Sequence, residues 1–332
     1  YLSTSSRTVY ATPLSEEQYI HTRVSTTTTY EHRHTENKQL NEVAVMVDAP
    51  EQLRLIGHGI NYYDGDAFVG LPVGQVGRFG ALSRSDTLVL TDELLADAYG
   101  ADLPPCLVAS GEPSWSDTYP QEYRTLLPKR AGYVFHAESA EPFCPAGYFV
   151  MSERRRYDVQ SDPSGNGYGL VLETLDPLYD PSHDPFGNPL RHRTTIAYDD
   201  YHLLPLGVTD PAGLTTHATY DYRVLQPKEV TDSNGTTTTC TFSPLGLLTS
   251  TAIRGQSNTE GDWTRPSVRM EYDFLSFLNS LPEHRTPIFV RTIRQIHHET
   301  ELDVPAGERD ETITTVEYSD GFGRLLQTRT QG

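Results

Sequence analysis

His32 and His34 stand at alternate positions in Glu31-His32-Arg33-His34, with Glu36 close behind. In a strand, residues i and i+2 share a face, so both imidazoles can reach one zinc ion if a third and fourth ligand arrive from elsewhere. The sequence marks no such ligands, and polar residues on an exposed strand face explain the pattern more simply. A zinc hydrolase using His32 and His34 is the one catalytic reading the pair allows. His297-His298-Glu299 are adjacent residues, so in a strand their side chains point to opposite faces and share no metal. Asp162, Asp180 and Asp184 lie in oxygen-rich turns but lack the 1, 3, 5, 12 spacing of a calcium loop. Turn-forming aspartates account for them.

Other catalytic signatures are missing. Gly57-His58-Gly59, Gly65 and Gly70 make no phosphate-binding loop, because no Gly-x-Gly-x-x-Gly or Gly-Lys-Ser/Thr leads from a strand into a helix. No Gly-x-Ser-x-Gly elbow occurs. Arg154-Arg155-Arg156 is a short basic run whose natural partners in an acidic chain are internal carboxylates. Cys106, Cys144 and Cys240 have no metal-like spacing and cannot all pair, which reads as buried free thiols. The sequence thus assigns no catalytic residue, no metal ligand and no cofactor, and the reading is of a protein that is not an enzyme.

Composition narrows the partners. The 332 residues carry a formal net charge of -19, which opposes general binding to nucleic acid, where clustered Lys and Arg must replace phosphate counterions. No apolar run approaches the ~18 residues of a membrane helix, so no membrane insertion is expected. With 23 Pro and 25 Gly, turns are frequent. The first residue is Tyr, and a repeat reaches the last residues, so we expect a piece of a longer chain.

What must position any site is a repeat. Shifted by 22 residues, the stretch from Tyr198 matches itself: Tyr198-Asp199, Leu203, Pro205, Val208-Thr209-Asp210, Gly213, Thr215-Thr216 and Thr219 recur as Tyr220-Asp221, Leu225, Pro227, Val230-Thr231-Asp232, Gly235, Thr237-Thr238 and Thr241. A fixed period of this size marks one supersecondary unit stacked on copies of itself. Asp-x-x-Gly is turn chemistry: Asp bonds backbone two residues on, and Gly takes positive φ without a Cβ clash. The flanking Val, Thr, Leu and Tyr suit pleated strands. Each unit is therefore a β-hairpin, its tyrosine a core peg rather than an exposed stacking platform. A weaker copy spans Asp184 to Tyr198, Tyr272-Asp273 opens another, and Tyr318-Ser319-Asp320-Gly321-Phe322-Gly323-Arg324-Leu325 is the sharpest near the end.

Along the rest of the chain, strands are expected over the Thr-rich first 40 residues, Val43–Val47, Leu53–Gly57, Tyr133–Phe135 and Tyr148–Met151. Asn61 to Arg84 reads as loop with short strands. Thr91 can cap a helix over Asp92–Tyr99 that Gly100 ends, with Leu94, Leu95 and Ala98 on its packing face. A second short helix is expected near Glu122–Leu127. Residues 100–121, with Trp115, read as an inserted surface loop, and 255–266 and 279–287 as insertions between hairpins. The expected organisation is a β-rich segment over 1–169 and the hairpin strip over 170–332, forming one wall.

Tyr-Asp-x-x-Gly-Arg-Leu with a return Asp-Pro-x-Gly resembles the YD or Rhs repeat of bacterial polymorphic toxins and animal teneurins. The ending from Glu317 to Arg329, with Leu71-Pro72-Val73-Gly74-Gln75-Val76-Gly77 and Asp92 to Gly100, resembles the B component of insecticidal toxin complexes (Tc toxins). Residues 1–50 match that family only loosely. The resemblance implies a mainly β fold: a hairpin strip with one or two short helices, forming part of a hollow β-shell. It implies a secreted toxin complex in which the B component and its partner C component enclose the cytotoxic part of C. Docking on the A component uses a propeller that lies outside this chain. The alternative from another class is a teneurin-like extracellular adhesive module, binding glycan or protein through the Trp115 loop.

Overall fold

The computed structural model describes residues 3–17, 19–33, 39, 42, 53–107, 115–116, 118–121, 124, 132–140, 143–161, 166–179 and 192–331. The expected strand Val43–Val47 lies outside them, as do His34, Glu36, Asp162, Asp180, Asp184 and all of Glu122–Leu127 except Arg124. The fold is mainly β and antiparallel. The chain forms two compact units: Tyr1–Ile196 with Asp210–Gly213, and Ala197–Thr209 with Leu214–Gly332. Val171–Leu175, placed by sequence at the head of the strip, packs in the first unit.

In the first unit the strands are β1 (Thr4–Tyr10), β2 (Thr12–Pro13), β3 (Val24–His32), β4 (Leu53–Tyr63), β5 (Gln75–Val76), β6 (Leu82–Thr91), β7 (Tyr133–His136), β8 (Ser139–Ala140), β9 (Phe143–Cys144), β10 (Gly147–Tyr157), β11 (Val171–Leu175) and most of β12 (Arg193–Tyr198). Pairing runs β1–β3–β4–β6–β10. The first half of β10 also pairs β7 and its end pairs β11, which pairs β12. β2 and β5 form a short parallel pair and β8 and β9 a short antiparallel one.

Two apolar clusters hold this unit. Ile60, Tyr62, Leu88, Cys144 and Phe149 form one, and Ala11, Tyr63 and Val76 the other. Burying such side chains contributes about 1.5–3 kcal/mol each before entropy is charged. Helix α1 (Asp92–Tyr99) follows β6. Thr91 Oγ1 accepts from the Leu94 amide at 3.1 Å, and Gly100 ends the helix at φ +57°. Its packing face is narrower than expected: Leu95 is buried, whereas Leu94 and Ala98 are exposed. The rest of the helix faces solvent, where Glu93 and Asp97 pair with Arg54 and Glu93 also with Arg33.

The second unit is an antiparallel meander. Its strands are β13 (Pro205–Thr209), β14 (Thr215–Asp221), β15 (Gln226–Thr231), β16 (Thr237–Phe242), β17 (Leu248–Arg254), β18 (Val268–Asp273), β19 (Ile288–Gln295), β20 (Thr312–Ser319) and β21 (Leu325–Gln331). Each pairs with the next in sequence. Short helices α2 (Ser276–Asn279) and α3 (Ala306–Arg309) sit in the longer connections. Among its described residues only Ala252 is a buried apolar side chain. The strip therefore depends on ladder hydrogen bonds, cross-strand pairs and turns rather than on a thick core.

Candidate functional site

The strip's turns alternate between two rims. One carries the turns that follow Tyr198, Tyr220, Phe242, Tyr272 and Tyr318; the other carries those after β13, β15, β17 and β19. The repeat residues define these turns. Asp210 Oδ1 accepts from the Ala212 amide at 2.8 Å, and the Gly213 amide donates to the Asp210 carbonyl at 3.0 Å. Asp232 Oδ1 takes the Asn234 and Thr236 amides at 2.9 and 2.8 Å, and its carbonyl takes the Gly235 amide. Asp320 repeats this with the Phe322 and Arg324 amides, both at 2.9 Å, and adds Arg324 Nε at 2.6 Å. Gly213, Gly235 and Gly323 have φ of +81°, +80° and +79°. Only a residue without Cβ adopts that region at little cost. These hydrogen bonds hold the Asp320 carboxyl below its usual range.

At the turn after Tyr198, Asp199 is buried and Tyr198 ends its strand. Asp199 Oδ1 accepts from the Leu203 amide at 2.7 Å and Oδ2 from the Tyr222 hydroxyl at 2.6 Å. The bond to Asp199 pushes the Tyr222 phenol up to about 12. Burial works against the Asp199 carboxylate, but hydrogen bonds from Tyr222, Leu203 and Leu204 hold its pKa down. Replacing Asp199 with Asn is therefore expected to move Tyr222 ionisation back towards 10, read by ring-carbon NMR titration. An unmoved titration would mean that the carboxylate is not the cause. Asp221 closes its own turn on Arg223, through the amide at 3.0 Å and the guanidinium at 3.1 Å.

The repeat tyrosines are half-buried, not fully enclosed pegs. Their hydroxyls staple strands: Tyr220 donates to the Pro205 carbonyl at 2.8 Å and Tyr272 to that of Leu248 at 2.7 Å. Tyr318 lies between Phe289, at 5.8 Å, and the Arg329 guanidinium, 5.5 Å from its ring. Threonine hydroxyls pair across strands at Thr209–Thr215 and Thr231–Thr237. The turns after Tyr198, Phe242 and Tyr318 leave Tyr201, Leu203, Leu245, Phe322 and Leu325 exposed.

The structure departs from the sequence reading at His297-His298-Glu299. These residues follow β19 as a bend and turn, not a strand. Asp262, fully buried, draws them in: Oδ2 lies 2.9 Å from His298 Nδ1 and 2.5 Å from Ser267 Oγ, and Oδ1 accepts from the Glu299 amide at 2.8 Å. The Glu299 carboxylate in turn accepts from the Thr264 amide and hydroxyl at 2.8 and 2.7 Å and from the Trp263 amide at 2.9 Å, which lowers its pKa. His297 pairs with Glu301 at 2.8 Å. The insertion 255–266 and a second one that the sequence did not mark, 296–311 between β19 and β20, are thus tied into one knot.

A second polar cluster is buried in the first unit. His58 stacks edge-on to Phe143 and Phe149 at 5.7 and 6.1 Å, with Nδ1 2.9 Å from Thr28 Oγ1 and Nε2 without a partner. Burial, with a smaller contribution from His136, lowers its pKa to about 4. Asp86 sits between Arg84 Nε at 3.1 Å and His136 Nε2 at 3.2 Å. Arg84 lies 3.8 Å over the Tyr62 ring. Burial, reinforced by Asp86, pushes the Cys144 thiol up to about 11, leaving it protonated and unreactive at neutral pH. Asp64, equally unmarked in the sequence, gathers the Gly77, Gly80 and Ala81 amides.

His32 is buried at the end of β3, and among the described residues no three His, Cys, Asp or Glu side chains converge on a metal position. Two arginines of the basic run pair with carboxylates as expected, Arg155 with Glu153 at 2.9 Å and Arg156 with Glu173 at 2.7 Å, whereas Arg154 donates to the Asp176 and Tyr179 backbone carbonyls. Cys106, Cys144 and Cys240 are free. Trp115 is half-buried and meets Tyr119 edge-on at 5.1 Å.

No family model and no curated protein matches the chain. Solved structures do. The crystal structure of TcdB2-TccC3 matches 98% of this chain at a TM-score of 0.68 and 16% identity. The Photorhabdus luminescens Tc holotoxin pore matches 98% at 0.67 and 14%, and TcdB2-TccC3 without its hypervariable C-terminal region 98% at 0.66 and 15%. The chain spans 15–17% of the length of these matched chains. With the hairpin strip and its stapled turns, the likeness shows that this chain has the fold of part of the TcdB2-TccC3 assembly.

Proposed function

We propose that the chain is a structural segment of a secreted Tc-type B component, building part of a shell wall with no catalytic role of its own. The observation that carries this reading is the likeness over 98% of the chain to TcdB2-TccC3, together with a strip whose polar side chains are spent on turns and strand stapling. Its partners on this reading are a C component, whose toxic part the joined shell sequesters, and an A component reached through a propeller outside this chain. The strip suits a wall, since with one buried apolar residue described in the second unit it is built as a sheet rather than as a lump with a core of its own. Small-angle scattering of the longer B component that this reading places the chain in, alone and mixed with a Tc C-component-type product of a neighbouring gene, tests the reading. A joint particle with a low-density interior is expected. A mixture whose curve equals the sum of its parts rejects it.

A further inference from the structure

Two imidazoles share one phenyl ring in the first unit. His136 lies 4.5 Å from Phe149 and His58 6.1 Å, centroid to centroid. Among the described residues His136 meets a carboxylate and His58 does not. His136 Nε2 is 3.2 Å from Asp86 Oδ2, and Asp86 Oδ1 is 3.1 Å from Arg84 Nε. His58 has the Thr28 hydroxyl at Nδ1 and, among the described residues, no partner at Nε2.

The groups around His58 can be taken strand by strand. β3 brings the Thr28 hydroxyl, β9 the Phe143 ring and β10 the Phe149 ring, none of them charged. β7 brings the titratable group that acts on the ring, His136, with Asp86 and Arg84 of β6 beyond it. Cys144 on β9 and Tyr62 on β4 stay protonated, their pKa values pushed up to about 11 and about 12. At neutral pH Arg84 and Asp86 balance each other. In acid the two imidazoles add two positive charges, so these four groups hold three cations and one carboxylate in a site shielded from water.

Of the strands that carry the cations, one can move. β4 is laddered to β3 and β6, and β6 to β4 and β10. β7 ends the sheet order and is tied to β10 through four residue pairs, Tyr133–Val150 to His136–Gly147. Its other anchors are the contacts of Phe135 and Tyr133 with Tyr148, at 5.3 and 6.5 Å. Water also reaches the cluster on this side, since the His136 side chain is 21% exposed whereas His58, Asp86 and Phe149 are 2% or less.

We infer that β7 is an acid-released strand: proton uptake by His58 beside His136 drives β7 off β10 and lays open the β10 edge from Gly147 to Val150. A strand edge opened in this way is a template for pairing with another strand. The direction in pH follows from the closed form, where burial and then His136 lower the His58 pKa to about 4 from 6.5. A ring that regains 6.5 on opening gives no bias above that pH and raises the opening constant about thirtyfold by pH 5. The inference concerns part of the first unit and does not use the shell reading.

Amide hydrogen exchange of the 332-residue chain at pH 7.5 and pH 5, corrected for the intrinsic exchange rate at each pH, tests it. Protection of the Tyr133–His136 and Gly147–Val150 amides is expected to fall about thirtyfold, while the β3–β4 and β4–β6 ladders stay protected. His58→Gln keeps a hydrogen-bonding side chain for Thr28 but takes up no proton, so protection in this variant should not change between the two pH values; His58→Phe should behave alike. Equal protection of the β7–β10 ladder at both pH values in the parent chain overturns the inference. So does a loss shared equally by the β3–β4 and β4–β6 ladders, because the whole unit then opens rather than one strand. A thirtyfold acid loss that persists in His58→Gln or His58→Phe overturns it as well.

Discussion

Replacing Asp262 with alanine is expected to cost about 3–5 kcal/mol, because it breaks a buried charged network and leaves its partners in place. Three groups lose their acceptor at once: the Glu299 amide, the Ser267 hydroxyl and the His298 ring. A stranded buried donor costs about 1–3 kcal/mol; Ser267 is buried, whereas the His298 ring and the Glu299 amide are part-buried and can turn to water, which keeps the total near the lower end of the range. Asp262→Asn keeps the shape and one acceptor, and should cost clearly less. The readout is urea unfolding at pH 7, with Trp263 fluorescence as a local reporter because that residue sits in the same loop. The two insertions should detach from one another before the meander melts, which amide exchange at Glu299 will show as early loss of protection. A cost below about 1 kcal/mol would mean that the knot is an exposed tether with no structural weight.

The second large effect is acid lability of the first unit through His58. The side chain is 2% exposed, and its folded pKa is near 4 against an ordinary 6.5, so the folded state favours the neutral ring. Above pH 6.5 folded and unfolded chains both hold it neutral and stability is complete. Between 6.5 and 4 the unfolded chain binds the proton first, so stability falls as the pH falls, reaching a loss of about 3 kcal/mol below pH 4 at about 1.36 kcal/mol per unit. The groups that touch or act on the ring come from four strands: Thr28 on β3, His136 on β7, Phe143 on β9 and Phe149 on β10. Asp86 is taken up by His136 and Arg84, and the His58 ring itself bonds the Thr28 hydroxyl rather than a carboxylate. In His58→Phe the difference in unfolding free energy from the parent chain should shrink or reverse between pH 6.5 and 4. Parallel pH profiles for the two proteins would show that His58 does not titrate on unfolding.

Features that depend on near neighbours were legible before any fold was known. The 22-residue period predicts hairpins, and hairpins form, because an Asp-x-x-Gly turn closes on its own backbone within four residues, as Asp232 and Asp320 do. Helix α1 is legible from Thr91 and Gly100 for the same reason, since a cap bonds only the first or last turn. Which of its leucines packs is not: Leu95 is buried and Leu94 is not, a choice made by the surface beneath the helix.

Contacts between distant segments settle the rest. His297 and His298 read as strand residues on opposite faces, but a buried carboxylate 36 residues earlier in the chain recruits His298 into a loop. His58 is legible only as part of a failed phosphate motif; its perturbation comes from burial against Phe143 and Phe149, far along the chain on other strands. In the connection around α2 the protein turns Ser276 inward and leaves Leu278 and Leu281 bare. Turn geometry and caps are local free energies, governed by residues within a few positions. Burial and pKa, and whether an apolar face stays bare, are properties of what lies opposite, and that is set only when distant strands take their register.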